Sequence, residues 1–376
     1  MGKWEMVRLG DAATFINGYS FKPTDWVVKG LPIIRIQNLT ESSDVVNYFD
    51  QNYDLRYEIN DGDILISWSA SLGVYEWNKG KALLNQHIFK VVFNKLHFDK
   101  RFFRYIVGQK IDEMAQLTHG STMKHITKKY FDEIQILYPP IEVQKKIADV
   151  LDRANALIEK RKVQIKKLDL LIKSQFVEMF GDSRDNDGVE LREACTIITD
   201  GTHQPPKFVN SGVPFLLVSN IVDNKITYDT EKYITREDYD SLIKRTPIEV
   251  GDILLTTVGS YGNPAIVRSE REFCFQRHIA YMKPRRDLID SVFLHNAFQS
   301  HDVQTQIEIR VKGIAQKTLN LSELKSIRVK LPPLDLQHRF AAFAEAADKS
   351  KFDIRRSIDL MELNFKSIMQ KFFNAY

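Results

Sequence analysis

The strongest constraint on the fold is that the chain repeats itself. Val7-Arg8-Leu9 returns as Val189-Glu190-Leu191, and Gly30-Leu31-Pro32 with Asn38 returns as Gly212-Val213-Pro214 with Asn220, at an offset of 182. The signature Gly62-Asp63-Ile64-Leu65 returns as Gly251-Asp252-Ile253-Leu254 at 189, His87-Ile88 as His278-Ile279 at 191, and Pro139-Pro140 with Gln144 as Pro332-Pro333 with Gln337 at 193. The drift in offset places small insertions in loops of the second copy, where they are best tolerated. A period this long is a tandem duplication and not a solenoid.

Each copy opens with short β-type runs (32–36, 64–66 and 87–93 in the first) broken by Gly, Asn and Asp turns, followed by a helical pattern from Phe102 to Met114. A Pro-Pro pair then starts a long helix, because proline's missing N–H costs nothing in a first helical turn. In the first helix Ile147, Leu151, Ala154, Ile158, Ile165, Leu168, Ile172 and Met179 fall on one alternating 4,3 stripe, interrupted by Arg161 and Gln175. In the second, Phe340, Phe343, Ala347, Ile354, Ile358, Met361, Phe365, Ile368 and Phe372 nearly repeat it, with a one-residue stutter near Ser357. A helix of roughly 40 residues is about 60 Å long, and an apolar stripe of that length needs a partner.

The fold class expected is therefore α+β: two α/β domains from a tandem duplication, joined and spaced by two long helices that form an antiparallel coiled coil. The boundaries expected are domain 1–138, helix 139–181, domain 182–331 and helix 332–376. The simpler alternative lays each helix on its own domain.

Composition supports two cored domains, with 43% apolar and 27% charged residues in 376. Two cysteines, Cys195 and Cys274, build neither a disulfide framework nor a cysteine-rich zinc site, and the N-terminal residues lack a signal-peptide core, so a reducing, cytoplasmic setting with no membrane span is expected. No dinucleotide-binding or P-loop glycine pattern is present, none of the three Pro-Pro pairs fits the motif of adenine and cytosine-N4 methyltransferases, and no carboxylate cluster of nuclease type or histidine pair at metal-ligand spacing stands out. Catalysis, a cofactor or a metal site in this chain is not expected.

Two variable halves, each with a Gly-Asp-Ile-Leu turn and each followed by Pro-Pro, a Gln five residues after the first Pro and a long helix, form a distinctive pattern. It resembles the specificity (S) subunit of type I restriction-modification systems from Val7 to Phe373. The strongest motifs are residues 137–148 and 331–341. The resemblance implies a non-catalytic scaffold that binds double-stranded DNA. Each half is a target recognition domain reading one half of a bipartite DNA site, and the antiparallel coiled coil spaces the two. It also implies two methyltransferase (modification) subunits, which bind S-adenosylmethionine and methylate adenine, and restriction/translocase subunits that use ATP and Mg. An interaction scaffold that does not read DNA is the competing reading, and a fused enzyme fragment the third.

Base edges are read by Asn, Gln, Arg, Lys, Ser and Thr, with aromatic or small groups on thymine methyls. In the first half the candidate DNA-binding residues follow turns at Asn17, Tyr19, Ser20 and Lys22; Arg35, Gln37 and Asn38; Ser67, Trp68 and Ser69; and Ser121, Thr122 and Lys124. In the second they are Thr202, His203 and Lys207; Ser219 and Asn220; Thr256, Thr257, Ser260 and Tyr261; and Gln316, Lys317 and Thr318. The recurrence of Asn38 as Asn220 favours a turn or phosphate role over base reading, and Gln86, His87, Gln276 and His278 recur in the same way. Lysines 22, 124, 207 and 317 suit phosphates, a role that needs only charge and reach. Arg161-Lys162 and Lys166-Lys167 read either as a solvated face or as a methyltransferase contact.

The net charge is only +4, and it is unevenly spread. Residues 1–138 carry 17 basic and 16 acidic side chains, and 182–331 carry 20 and 21. Domains this close to neutral lack the usual basic footprint of a DNA-binding module, so weak binding by the isolated chain is expected.

Overall fold

The computed structural model describes residues 4–117, 128–181, 188–313 and 317–373. The chain divides into two compact units, Met1–Arg161 with Ser357–Tyr376, and Lys162–Arg356. The long helices run Ile141–Phe180 and Leu334–Phe373, and each gives one half to each unit, so neither stands as a body of its own.

In the first unit a four-stranded antiparallel sheet has the order Thr14–Asn17, Ile88–Val92, Ile64–Ser67, Gly73–Glu76. A second sheet has the order Asn47–Phe49, Leu31–Ile34, Ala82–Leu84, Glu58–Ile59, with one parallel pairing between Leu31–Ile34 and Ala82–Leu84. Glu5–Arg8 pairs with Gln135–Tyr138, tying the two ends of the domain together just before the helix begins. The helix Lys100–Leu117 supplies Phe102, Phe103, Ile106 and Val107 to a core shared with Phe15, Ile66, Phe89, Leu151 and Phe373.

The second unit has the same plan. Its antiparallel sheet has the order Cys195–Asp200, Ile279–Pro284, Ile253–Thr256, Pro264–Ile266; Val213–Leu216 pairs in parallel with Cys274–Phe275; and Val189–Glu190 closes on Arg328–Val329. Phe176 and Phe180 lie 5.3 and 5.7 Å from Phe340, while Lys351 lies 2.7 Å from Asp169. As the numbers fall along the first helix they rise along the second, so the two halves run antiparallel.

The Pro-Pro-x-x-x-Gln motif is a joint. The Pro140 carbonyl accepts the first helical N–H groups, from Val143 and Gln144, and Pro333 does the same for Leu336 and Gln337. Gln144, fully buried, donates from Nε2 to the Pro139 carbonyl (2.8 Å) and accepts at Oε1 the N–H of Asp99 (2.9 Å). Gln337 does the same with Pro332 (2.8 Å) and Asp290 (2.9 Å). The two aspartates cap the next helix of each domain, Asp99 through the N–H groups of Arg101 and Phe102 and Asp290 through those of Val292 and Phe293. One amide side chain thus locks each long helix to its domain.

The seam of the second helix differs from the sequence expectation. Ala344, Ala347, Lys351, Ile354, Ile358, Met361, Phe365, Ile368 and Phe372 alternate by three and four without a stutter, all of them buried or half-buried. The apparent stutter arises because Lys351 is charged yet occupies a seam position, 5% exposed.

Candidate DNA-recognition site

In each unit three loops meet at one end of the antiparallel sheet, and five backbone hydrogen bonds hold them. In the first unit Gly18 N–H donates to Ile88 O, Tyr19 N–H to Leu84 O, Gln86 N–H to Tyr19 O, Asn85 N–H to Ile34 O and Trp68 N–H to His87 O, at 2.8–3.2 Å. In the second the same five run from Gly201 to Ile279, Thr202 to Phe275, Arg277 to Thr202, Gln276 to Leu216 and Thr257 to His278, at 2.9–3.2 Å. Glycine is required where the loops cross: a Cβ on Gly18 would sit 2.1 Å from the Asn85 carbonyl oxygen, and one on Gly201 2.2 Å from that of Phe275. Gly62 (φ +83°) and Gly251 (φ +93°) turn the chain into the central strand of each sheet.

On this common frame the side chains differ. In the first unit Asn17 Oδ1 accepts the Trp68 indole N–H at 3.2 Å, Trp68 stacks on Phe89 (5.6 Å, 23°), and the exposed Tyr19 ring lies 4.9 Å from Phe21 and 5.4 Å from Tyr57. The surface is aromatic, with the Arg56 guanidinium 4.7 Å from the Tyr57 ring centre, and is flanked by exposed Ser20 and Lys22. In the second unit Asp200 replaces Asn17 and holds Arg245 at 2.6 Å and His203 at 2.9 Å. Thr202 takes the place of Tyr19, with its hydroxyl on the Gln204 carbonyl (2.9 Å), and the exposed Arg277 takes the place of Gln86. Burial, reinforced by Arg277, depresses the His278 imidazole pKa. Lys317 Nζ lies 3.3 Å from the Tyr261 hydroxyl, which donates to Glu308 at 3.0 Å, beside exposed Ser260 and half-buried Thr318.

Several expected readers are structural supports. Ser67 and Thr256 are fully buried and donate to the carbonyls of Ser71 and Ser260, holding matching loops closed. Thr257 is buried beneath the second loop. Asn38 accepts Arg35 N–H (3.0 Å) and donates to Val45 O (2.9 Å); Asn220, buried, accepts Leu217 N–H (2.9 Å) and donates to Asp229 O (2.8 Å). Both asparagines are turn residues with each end of the amide used. Arg35 is half-buried, its guanidinium 4.4 Å from the Trp26 ring centre. Gln37 and Ser69 are half-buried, while Lys207 and Ser219 are exposed. Ser121, Thr122, Lys124 and Gln316 lie outside the described residues. Residue type alone passes over Tyr57, Arg245 and Arg277; the repeat of residues 85–87 as 276–278 is the signal that locates the last of these.

The family model for the type I restriction modification DNA specificity domain matches residues 1–167 and again 185–360. The chain is 24% identical to the type I restriction enzyme EcoBI specificity subunit of Escherichia coli, over 99% of this chain and 86% of that one. It is also 24% identical to the MjaVIII specificity subunit of Methanocaldococcus jannaschii, over 97% and 91%. Two solved chains share the fold: the S subunit of a type I system from M. genitalium (TM-score 0.54, 14% identity, 99% and 96% covered) and a chain from a type I R-M system solved for its complex assembly and conformational transition (0.57, 17%, 98% and 96%). With the motif repeated twice and the domain model matched twice, the chain belongs to the family of type I restriction-modification specificity subunits, whose part is DNA recognition and not catalysis.

Proposed function

We propose that each unit reads one half of a bipartite duplex site, and that the long helices set the gap between the halves. The observation that carries this reading is the pair of loop junctions held by the same five backbone bonds and bearing different side chains. A shared frame with Tyr19 and Gln86 on one copy, and Thr202 and Arg277 at the same places on the other, suits two dissimilar half-sites met in the same way. A spacer of fixed length then fixes half-site separation along the duplex.

Two methyltransferase subunits docking on the domains and helices complete the DNA clamp, restriction/translocase subunits join them, and S-adenosylmethionine, ATP and Mg are bound on those partners. The near-neutral domains support this division, because counterion release from a few lysines gives little affinity by itself. Among the described residues no helix is long and apolar enough to cross a membrane.

Methylated adenines mapped in cells with and without this chain, its methyltransferase partner present, test the reading. A split motif methylated only when the chain is present is the expected result. Methylation independent of the chain, or a single undivided motif, overturns it.

A further inference from the structure

The Lys351 ammonium is the most conspicuous charge that DNA reading does not explain. It occupies a seam position between Ala344 and Ile358, each seven residues away, and its side chain is 6% exposed. Two carboxylates hold it: Asp169 of the first helix at 2.7 Å and Asp348, one turn earlier on its own helix, at 2.7 Å. Asp348 also meets Arg268 of the domain at 3.1 Å. Lys225 and Arg355 complete the charged surroundings. At the repeat offset of 193 the first helix carries Ile158, buried and apolar, so the duplication holds this charge in one copy only.

A buried ammonium is costly without its partners, and one polar residue in an apolar seam is the best-attested device for fixing register. Here the alternatives are visibly poor. Sliding one helix by a heptad, about 10 Å at 1.5 Å per residue, brings Lys351 level with Lys162 or with Phe176 instead of Asp169. The first alternative opposes like charges, and the second sets the ammonium against an aromatic ring and parts Phe340 from Phe176. The Ala and Ile positions beside Lys351 discriminate less between these registers, because aliphatic packing is non-directional.

We propose that Lys351, gripped by Asp169 and Asp348, is the register pin of the two long helices and thereby a determinant of the gap this protein accepts between half-sites. The last step rests on the proposed bipartite reading; the pin itself does not.

The test uses the full chain with its methyltransferase subunits and the Lys351→Met variant. After the substitution Asp169 stays half-exposed and Asp348 keeps Arg268, so neither carboxylate is left buried and unpaired and the variant is expected to fold. Asp169→Asn, which keeps the lysine, provides a second, milder perturbation in the same direction. Register is read by disulfide trapping: Ile165→Cys with Ile354→Cys reports the native alignment, and Ile165→Cys with Ala347→Cys reports a one-heptad slip. The native Cys195 and Cys274 are buried, with thiols pushed up to about 12, so they interfere little.

With Lys351 present only the native pair is expected to cross-link. With Lys351→Met both pairs should, and the preference for duplexes of native gap over duplexes about three base pairs longer or shorter, the length of a heptad slip at about 3.4 Å per pair, should fall about tenfold. A folded Lys351→Met chain that traps only the native pair overturns the pin. Slipped cross-links with unchanged gap preference overturn its link to DNA spacing, while loss of any split motif in the unaltered protein would instead overturn the bipartite reading.

Discussion

The two domains carry the same five-bond loop junction with different side chains upon it, and the comparison separates scaffold from reader. Where the copies agree, the residue holds the frame together. Gly18 and Gly201 let backbones cross, Gln144 and Gln337 lock the helices, and Asn38 and Asn220 close turns. Where they disagree at the exposed rim, as with Tyr19 against Thr202 or Gln86 against Arg277, the difference has room to be functional. Divergence inside the core has another meaning. Lys90 pairs with Asp63 at 3.1 Å in the first unit, whereas Tyr281 and Asp252, 2.7 Å apart, occupy those places in the second, a different solution to one packing problem.

The largest effects should come from the crossing glycines. Gly18→Ala and Gly201→Ala each force a Cβ against backbone that has no room to yield, and each is expected to cost its own unit about 3 kcal/mol or more. Hydrogen exchange followed unit by unit checks this, and loss of protection in both units from one substitution would break the view of two separately built junctions.

Next come Gln144→Ala and Gln337→Ala. Each strands a buried N–H and a buried carbonyl at the helix joint, for an expected loss of about 2–4 kcal/mol. Equal losses for the two variants in denaturant unfolding would sharpen the claim that the motif is one repeated joint.

Acid should then distinguish the units. His295 is buried, bonded to the Asn224 carbonyl, and burial lowers its pKa from 6.5 to about 4; the matching position in the first unit is Arg104. Between those values the unfolded chain binds a proton that the folded unit refuses, so stability present above pH 6.5 is lost as pH falls toward 4, by about 3 kcal/mol. Asp252, raised by burial, works in the opposite sense, because its contribution is present at low pH and lost as pH rises. Exchange rates at pH 7 and pH 5 should show the second unit weakening more, and His295→Gln should remove most of that difference.

Asn38→Ala and Asn220→Ala are expected to cost only about 1 kcal/mol each through the lost turn bonds. The methylated sequence should stay unchanged in both variants, which a methylation map reads directly.

Much of this was legible in the sequence because the duplication supplies an internal comparison. It placed the two copies, the Pro-Pro starts of the long helices, and the turns at Gly62 and Gly251. The unevenly readable part was the loop junction. Asn, Ser and Thr suit base edges by type, yet Ser67, Asn220, Thr256 and Thr257 are buried, and the polar groups of the first three are spent on neighbouring backbone. A side chain's type announces its chemistry, while its exposure depends on how three distant loops cross. Lys351 was hidden for the converse reason: a charge is not counted in an apolar stripe until the carboxylates that permit it are in place.

The central claim is that each unit reads its own half of the target. Its most direct test maps methylated adenines in cells carrying the chain with Tyr19→Ala or with Arg277→Ala, beside the unaltered protein. Each substitution should relax or change one half of the split motif and leave the other half and the gap as they were. If either substitution alters both halves together, or if neither changes the sequence that is methylated, the assignment of one half-site to each junction is wrong.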